Sequence, residues 1–209
     1  MKLKSGDIYH VYSRGNNRQR VFYDPENYLL FLKKIRTYLS PQCDLLAYCL
    51  MPNHFHFLIH ANAHSVKVFR RTMSKGKRPV APKPKMNMVS KGIQLLLSSY
   101  TKSINKRYAR SGSLFRQNTK WKKTSDPVLS ADYSLACFSY IHNNPVMAGL
   151  VNAPEDWTYS SYSAYANLTN DDGICNVALA RQLLCLGENG IWNPQVKEIP
   201  TDILKKFFQ

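Results

Sequence analysis

The chain has 209 residues, of which 44% are hydrophobic and 12% aromatic, so it is long enough and apolar enough for a folded domain with a sizeable core. No apolar stretch approaches the roughly 20 residues of a membrane span, and the five cysteines contain no C-x-x-C pair, which argues against a disulfide framework or a cysteine zinc site. The net charge is +16, and the positive charge is concentrated in residues 1–125, which carry 25 of the 29 Lys and Arg and 4 of the 13 acidic residues. This distribution is typical of a polyanion-binding domain followed by a mildly acidic tail.

The first third of the chain alternates strand and helix patterns. Residues 7–17 alternate and are rich in Ile, Val and Tyr, which predicts a strand that ends in a Gly-Asn turn. Residues 24–39 begin with Asp, Pro and Glu, which predicts a helix with Asp24 as its N-cap. Residues 43–51 and 54–61 predict two antiparallel strands joined by a tight Pro-Asn turn.

The second part of the chain begins with a segment that cannot fold alone. Residues 73–88 contain three prolines and five basic residues and predict a mobile basic loop. A long helix is predicted over 89–112, with Gly112 after its end, and a short, very basic strand over 113–124. A further helix is predicted over 130–145, stopping near its proline.

The order of these elements is β-α-β-β-α-β followed by one more helix. This order predicts an α+β, ferredoxin-like split βαβ fold, in which an antiparallel sheet carries helices on one face, plus a C-terminal helical tail. The open face of such a sheet is a natural platform for nucleic acid.

The strand over 54–61 carries an unusual set of histidines. His54 and His56 are separated by one residue, so on a strand they point to the same face about 7 Å apart at the backbone, and two imidazoles can converge on one ion. His60 shares that face but lies further along the strand. Taken alone, an H-x-H pair on a strand favours a structural or surface role over metal binding.

Three ordered motifs carry a resemblance to a known family. They are YCLMPNHFHFLIH, YIHNNPVMAGLV and PEDWTYSSY, supported by SRGNNRQRVF and YTKSINKRYARSGSLF. Together they resemble the single-tyrosine HUH transposases of bacterial insertion sequences, and more closely their relatives associated with repetitive extragenic palindromes. The likeness runs from about residue 6 to about residue 165 and implies an HUH transposase and nuclease domain over 1–150. Residues 151–209 would form a partly helical C-terminal extension.

The resemblance implies a metal site. In that family the H-x-H pair binds a divalent metal, and a polar residue one helical turn after the catalytic tyrosine completes the site. The corresponding ligands here are His54, His56 and Asn144, with Asn143 and His142 as alternatives because Asn144 precedes a proline. The implied ion is Mg²⁺ or Mn²⁺, and the imidazoles favour Mn²⁺ relative to a site made only of oxygen ligands. No other cofactor is expected.

The resemblance also implies the reaction. Tyr140 in the YIHNNP motif corresponds to the nucleophile, which in the family attacks phosphorus, forms a 5′-phosphotyrosine link and leaves a free 3′-hydroxyl. Strands are then rejoined without ATP. The expected activity is therefore that of a metal-dependent tyrosine DNA transposase, acting as a single-strand endonuclease and strand transferase.

The expected partner is single-stranded or hairpin DNA. Trp121 is a candidate for stacking on an unpaired base, or equally a core residue of the sheet. The candidates for phosphate contacts are basic, namely Arg14, Lys75, Lys77, Arg78, Arg116, Lys120, Lys122 and Lys123. Dimeric members of the family use the tyrosine of a partner subunit, so a homodimer and a tyrosine acting within or between subunits both stay open. The expected location is the bacterial cytoplasm, at the nucleoid, without membrane association.

Two rival functions stay open. One is a non-catalytic nucleic-acid-binding relative that has lost cleavage. The other is a metal-dependent hydrolase that uses water in place of the tyrosine. The hydrolase would need a carboxylate base near the histidines, and the nearest acid in sequence is Asp44 on the neighbouring strand.

Overall fold

A computed structural model of the chain describes residues 3–70, 86–125, 130–166, 168 and 173–187. Its centre is one antiparallel sheet in which the strands lie in the order β2-β3-β1-β4. The strands are β1 (Ile8–Arg14), β2 (Asp44–Met51), β3 (His54–His60) and β4 (Lys120–Lys123). This strand order and the two crossovers confirm the ferredoxin-like α+β fold.

The helices differ in length and in the face of the sheet that they cover. They are α1 (Pro25–Tyr38), α2 (Met88–Arg107), α3 (Ser130–Met147), α4 (Tyr162–Tyr165) and α5 (Val177–Leu184), with short 3-10 turns at Asn16–Arg18, Ser40–Gln42 and Pro154–Asp156. Asp24 caps α1 as predicted, because its carboxylate accepts from the backbone N–H of Asn27 at 2.9 Å. None of the described helices is both long and apolar enough to cross a membrane.

Side-chain alternation divides the sheet into two buried faces. Tyr9 and Val11 of β1, with Phe55 and Phe57 of β3, belong to the core that α1 and α2 cover. The residues between them point the other way, and Leu58 of β3 packs in a second core under α3 and α5. The two helices on one face are as predicted. The opposite face, expected to be open, is covered by α3, because that helix presents its own apolar residues to the sheet.

Three element boundaries differ from the sequence-based prediction. Helix α2 ends at Arg107, five residues before Gly112, because Ala109 adopts a positive φ of 50° that breaks the helical path. Helix α3 continues through Pro145 to Met147. Strand β4 is limited to four residues. The predicted basic loop over 73–88 lies largely outside the described residues.

The described part of the predicted C-terminal extension packs along the edge strand β2. The backbone N–H of Leu50 donates to the carbonyl of Tyr159 at 2.9 Å, and the N–H of Ser161 donates to the carbonyl of Tyr48 at 3.0 Å. Further on, Ile174 is buried in the core beneath α1 and α2. These contacts satisfy backbone groups of an edge strand that would otherwise be exposed.

Candidate active site

The candidate active site is a cavity of about 370 Å³ where β1 ends, β3 begins and α3 completes its last turns. These three elements are far apart in sequence and meet only through the sheet order and the packing of α3. The cavity is lined by seven of the predicted site residues, namely Arg14, His54, His56, Arg116, Lys120, Tyr140 and Asn144.

The two histidines lie side by side on β3, as the H-x-H spacing predicts. Their ring centroids are 4.9 Å apart, and the rings are nearly perpendicular. His54 Nδ1 is 2.5 Å from the side-chain oxygen of Asn53, and His56 Nδ1 is 2.8 Å from Nε2 of His10. Among the described residues, none forms a hydrogen bond with the buried Nε2 of His56. A buried polar atom without a protein partner indicates a place for a ligand, a water molecule or an ion.

Both imidazoles are neutral at physiological pH. Burial lowers the pKa of His54 to about 4, with a smaller contribution from the positive charge of Arg14. Burial also holds the pKa of His56 well below its ordinary value, and His10, His54 and Arg14 act in the same direction. A neutral imidazole keeps one lone pair, so each ring can bind a metal ion without first losing a proton.

Tyr140 projects from α3 onto the histidine pair of its own chain. Its ring centroid is 5.5 Å from that of His56, edge to face, and the residue is only 2% exposed. Burial raises the pKa of the Tyr140 phenol to about 12, opposed by a hydrogen bond from the Asn144 side chain. The hydroxyl is therefore protonated at neutral pH in the free protein.

Asn144 is the only one of the three candidate third ligands that lines the cavity. Its amide nitrogen donates to the backbone carbonyl of Tyr140 at 2.8 Å, so the amide oxygen is the atom suited to bind a cation. His142 lies elsewhere on α3, with Nε2 2.8 Å from Ser161 Oγ. Asn143 donates to the carbonyl of Ser139 at 3.0 Å.

The donor set fits a divalent ion. In the described part of the chain, no group of three or more His, Cys, Asp or Glu side chains is placed to hold a metal. The candidate set here is two imidazoles and one amide, His54, His56 and Asn144, which are neutral ligands of the kind that Mn²⁺ and Mg²⁺ accept beside an anionic substrate. His60 does not line the cavity, and its Nδ1 is 3.1 Å from the Asp44 carboxylate.

The basic candidates are divided between the cavity and the rest of the sheet. Arg14, Arg116 and Lys120, the basic trio, line the cavity. Lys122 lies next to His10, whose pKa burial lowers to about 3 with help from the charge of Lys122. Lys75, Lys77 and Arg78 lie outside the described residues.

Two further DNA-binding candidates lie on the opposite face of the sheet from the histidines. Trp121 packs against the core under α1 and α2, edge to face with Tyr9 at 6.4 Å. Lys123 forms an ion pair with Asp7 at 2.9 Å. The structure therefore does not bring either residue to the cavity.

Several cavity residues were not predicted from the sequence. Tyr12 lies opposite His56 in the register of β1 and β3, and His10 lies beneath the pair. The sequence signal that could have identified these two residues is the alternation of His10, Tyr12 and Arg14. This alternation places all three side chains on one face of β1, the strand beside the H-x-H strand. The other unpredicted lining residues are Ser13, Met51, Asn118, Met147 and Ala148.

The fold and the cavity define a class of protein, a ferredoxin-like domain with a histidine pair, a facing tyrosine and a basic rim. No family model and no curated protein sequence matches the chain. Six chains of solved structures do match it. One is a REP-associated tyrosine transposase bound to a REP hairpin, with a TM-score of 0.54 and 14% sequence identity over 78% of this chain and 81% of that chain. At this identity the likeness is one of fold.

Proposed function

We propose that the chain is a metal-dependent tyrosine DNA transposase that cleaves and rejoins single-stranded or hairpin DNA. The observation that carries this proposal is the placement of Tyr140 against the His54 and His56 pair, with ring centroids of Tyr140 and His56 5.5 Å apart, in a cavity with a basic rim. A nucleophile, candidate metal ligands and phosphate-binding side chains thus meet at one point.

The proposed substrate follows from the charge of the cavity and from the fold. The basic trio offers three cations to a phosphodiester backbone, and cations of this kind supply most of the affinity of a protein for nucleic acid. The solved transposase of the same fold was captured with a DNA hairpin. Tyr140 is buried at the cavity wall, and an unpaired strand can enter a cavity more readily than a duplex can. The proposed cleavage site therefore lies in an unpaired segment beside a hairpin.

His54, His56 and Asn144 would hold the divalent ion, Mg²⁺ or Mn²⁺. When bound there, such an ion supplies Lewis-acid polarisation of the scissile phosphate. The basic trio positions the same phosphate group and offsets its charge. Burial keeps both imidazoles neutral, so the ligand set does not repel the ion.

The proposed chemistry is a reversible exchange of one phosphodiester for another. The Tyr140 oxygen attacks phosphorus and forms a new P–O bond, while the bond to the 3′ oxygen breaks and that oxygen leaves as a hydroxyl after taking up a proton. The phenol proton passes to solvent. A 3′-hydroxyl then attacks the phosphotyrosine link and restores Tyr140. Because Tyr140 contacts the histidines of its own chain, we propose that it acts within one subunit, whether or not the chain forms a homodimer.

The test is a denaturing gel of the protein with an end-labelled DNA hairpin that carries unpaired flanks, in the presence of Mn²⁺. A labelled species that migrates as protein plus DNA supports the proposal. Cut DNA without that species indicates a hydrolase that uses water. A native-gel shift without cleavage indicates the non-catalytic binder.

The metal role of the histidine pair is tested by substitution. His54→Ala combined with His56→Ala should lower formation of the covalent species by about 100-fold or more, since loss of a single outer partner of a ligand already costs about 10- to 100-fold. His60→Ala is the matched control, because His60 lies on the same strand face but pairs with Asp44 outside the cavity. Wild-type adduct formation by the double variant would contradict the metal role of this pair.

A further inference from the structure

A third histidine lies behind the pair, on the neighbouring central strand. His10 is 0% exposed, and its Nε2 is 2.8 Å from Nδ1 of His56. The ring centroids are 5.0 Å apart and the ring planes lie 18° from parallel, as expected for two imidazoles joined edge to edge by this hydrogen bond. Tyr12 stacks on His10 at 4.8 Å, and Tyr140 meets it edge-on at 6.2 Å, so the ring of His10 is held on several sides.

A hydrogen bond between two neutral imidazoles contains one proton, and its position determines what His56 offers to the cavity. Each neutral ring has one N–H and one lone pair. If the proton is on Nε2 of His10, His56 accepts it at Nδ1 and must carry its own proton on Nε2, where it cannot bind a cation. If the proton is on Nδ1 of His56, His10 accepts it, and Nε2 of His56 presents a lone pair.

The surroundings of His56 favour the second arrangement. Each arrangement leaves one buried ring N–H without a hydrogen-bond acceptor in the described part of the chain, on Nε2 of His56 in the first and on Nδ1 of His10 in the second, so this cost does not separate them. Arg14 of the basic trio lies opposite His54 in the register of the sheet and adds positive charge to the same cavity. A positive field disfavours an N–H that points into the cavity and favours a lone pair there.

We propose that His10 is a positioning residue for His56. It accepts the Nδ1 proton of His56 and thereby fixes both the tautomer and the orientation of that ring, with the Nε2 lone pair directed to the cavity. The use of that lone pair to hold a metal ion rests on the proposed function, whereas the tautomer is a property of the protein without metal or DNA.

The direct test is the tautomeric state of His56 in the full chain at neutral pH. Long-range ¹H–¹⁵N correlation NMR of histidine-labelled protein distinguishes the two protonated nitrogens, and His56→Gln assigns the signal. We expect the Nδ1–H tautomer in the wild type. The Nε2–H tautomer on His56 would overturn the proposal without any further variant.

Two substitutions separate the hydrogen bond from the packing. His10→Gln retains a side-chain oxygen that can accept from His56, whereas His10→Leu fills space without an acceptor. We expect His10→Gln to keep the Nδ1–H tautomer and His10→Leu to lose it. His142→Leu is the matched control, because His142 is also a buried histidine but bonds to Ser161 outside the cavity.

A second readout is the affinity for Mn²⁺ in the absence of DNA, measured by electron paramagnetic resonance. His10→Leu should weaken it by about 10- to 100-fold, the usual loss for an outer partner of a ligating histidine, while His10→Gln and His142→Leu stay within about three-fold of wild type. Equal affinities in His10→Leu and wild type would overturn the positioning role. If the wild type binds no Mn²⁺, the metal part of the proposed function fails, and the tautomer alone decides the role of His10.

Discussion

Replacing Tyr140 with Phe removes one hydroxyl from the cavity and leaves the ring. The ring contacts of Tyr140 with His56 and His10, at 5.5 and 6.2 Å, are edge-to-face contacts that a phenylalanine can also make. The lost group is the hydroxyl that receives a hydrogen bond from Asn144. One such bond contributes about 1 kcal/mol to stability, so we expect the free energy of unfolding to fall by about that amount.

The effect on chemistry should be far larger than the effect on stability. Without the phenolic oxygen, no phosphotyrosine link can form, and the covalent protein–DNA species should disappear. Loss of an essential nucleophile costs several orders of magnitude in rate, so residual cleavage should lie at least about 10³-fold below wild type. Binding of the hairpin should stay within about three-fold, because the basic trio is untouched.

Tyr133→Phe is the matched control for this substitution. Tyr133 is on the same helix, two turns earlier and about 10 Å away by helical rise, and does not line the cavity. Burial raises the pKa of its phenol to about 12 as well, so the two tyrosines differ in position more than in acidity. On a denaturing gel with labelled hairpin and Mn²⁺, Tyr133→Phe should form the adduct at a rate near wild type. An adduct that survives in Tyr140→Phe and vanishes in Tyr133→Phe would refute the assignment of the nucleophile.

Three further outcomes are expected. Burial raises the pKa of Tyr140 to about 12, so the phenolate fraction increases with pH. The logarithm of the single-turnover rate of adduct formation should therefore increase by about one per pH unit between about pH 6.5 and about pH 9. A rate that is constant near neutral pH would contradict this. Replacing all three residues of the basic trio with Gln should reduce the slope of log K for single-strand binding against log salt concentration by about 2, at about 0.7 per phosphate contact. Lys123→Gln, on the other face of the sheet, should leave that slope unchanged. Equal slopes in the two variants would mean that the DNA binds elsewhere. Truncation after residue 168 removes Ile174 from the core and should lower the melting temperature by about 5 °C or more. An unchanged melting temperature would mean that the removed residues add no stability.

Local patterns were sufficient to predict most of the fold. The N-cap at Asp24 and the Pro-Asn turn between β2 and β3 are encoded within a few residues, and both occur where expected. The same holds for the H-x-H pair, because side chains at i and i+2 of a strand share a face whatever surrounds them. These predictions needed no knowledge of tertiary contacts.

Features that depend on distant contacts could not be predicted in this way. The end of α2 is set by the left-handed residue Ala109, a position that helix periodicity alone does not mark. Trp121 carried two interpretations that differ only in the sheet face it occupies, and that face is fixed by its pairing with Val11 of β1. The role of His10 required the register between β1 and β3.

The same physical cause gives the histidines and the tyrosine opposite chemical states. Burial disfavours charge, so it keeps the imidazoles of His54 and His56 neutral and able to bind a cation, and it keeps the phenol of Tyr140 protonated and unreactive. Arg14 reinforces the neutrality of the imidazoles but acts against burial at the phenol, since a positive charge stabilises a phenolate. Any additional cation in the cavity would act on Tyr140 in the same direction. The proposed nucleophile is therefore protonated in the free protein, and we expect its activation to depend on positive charge that arrives after folding.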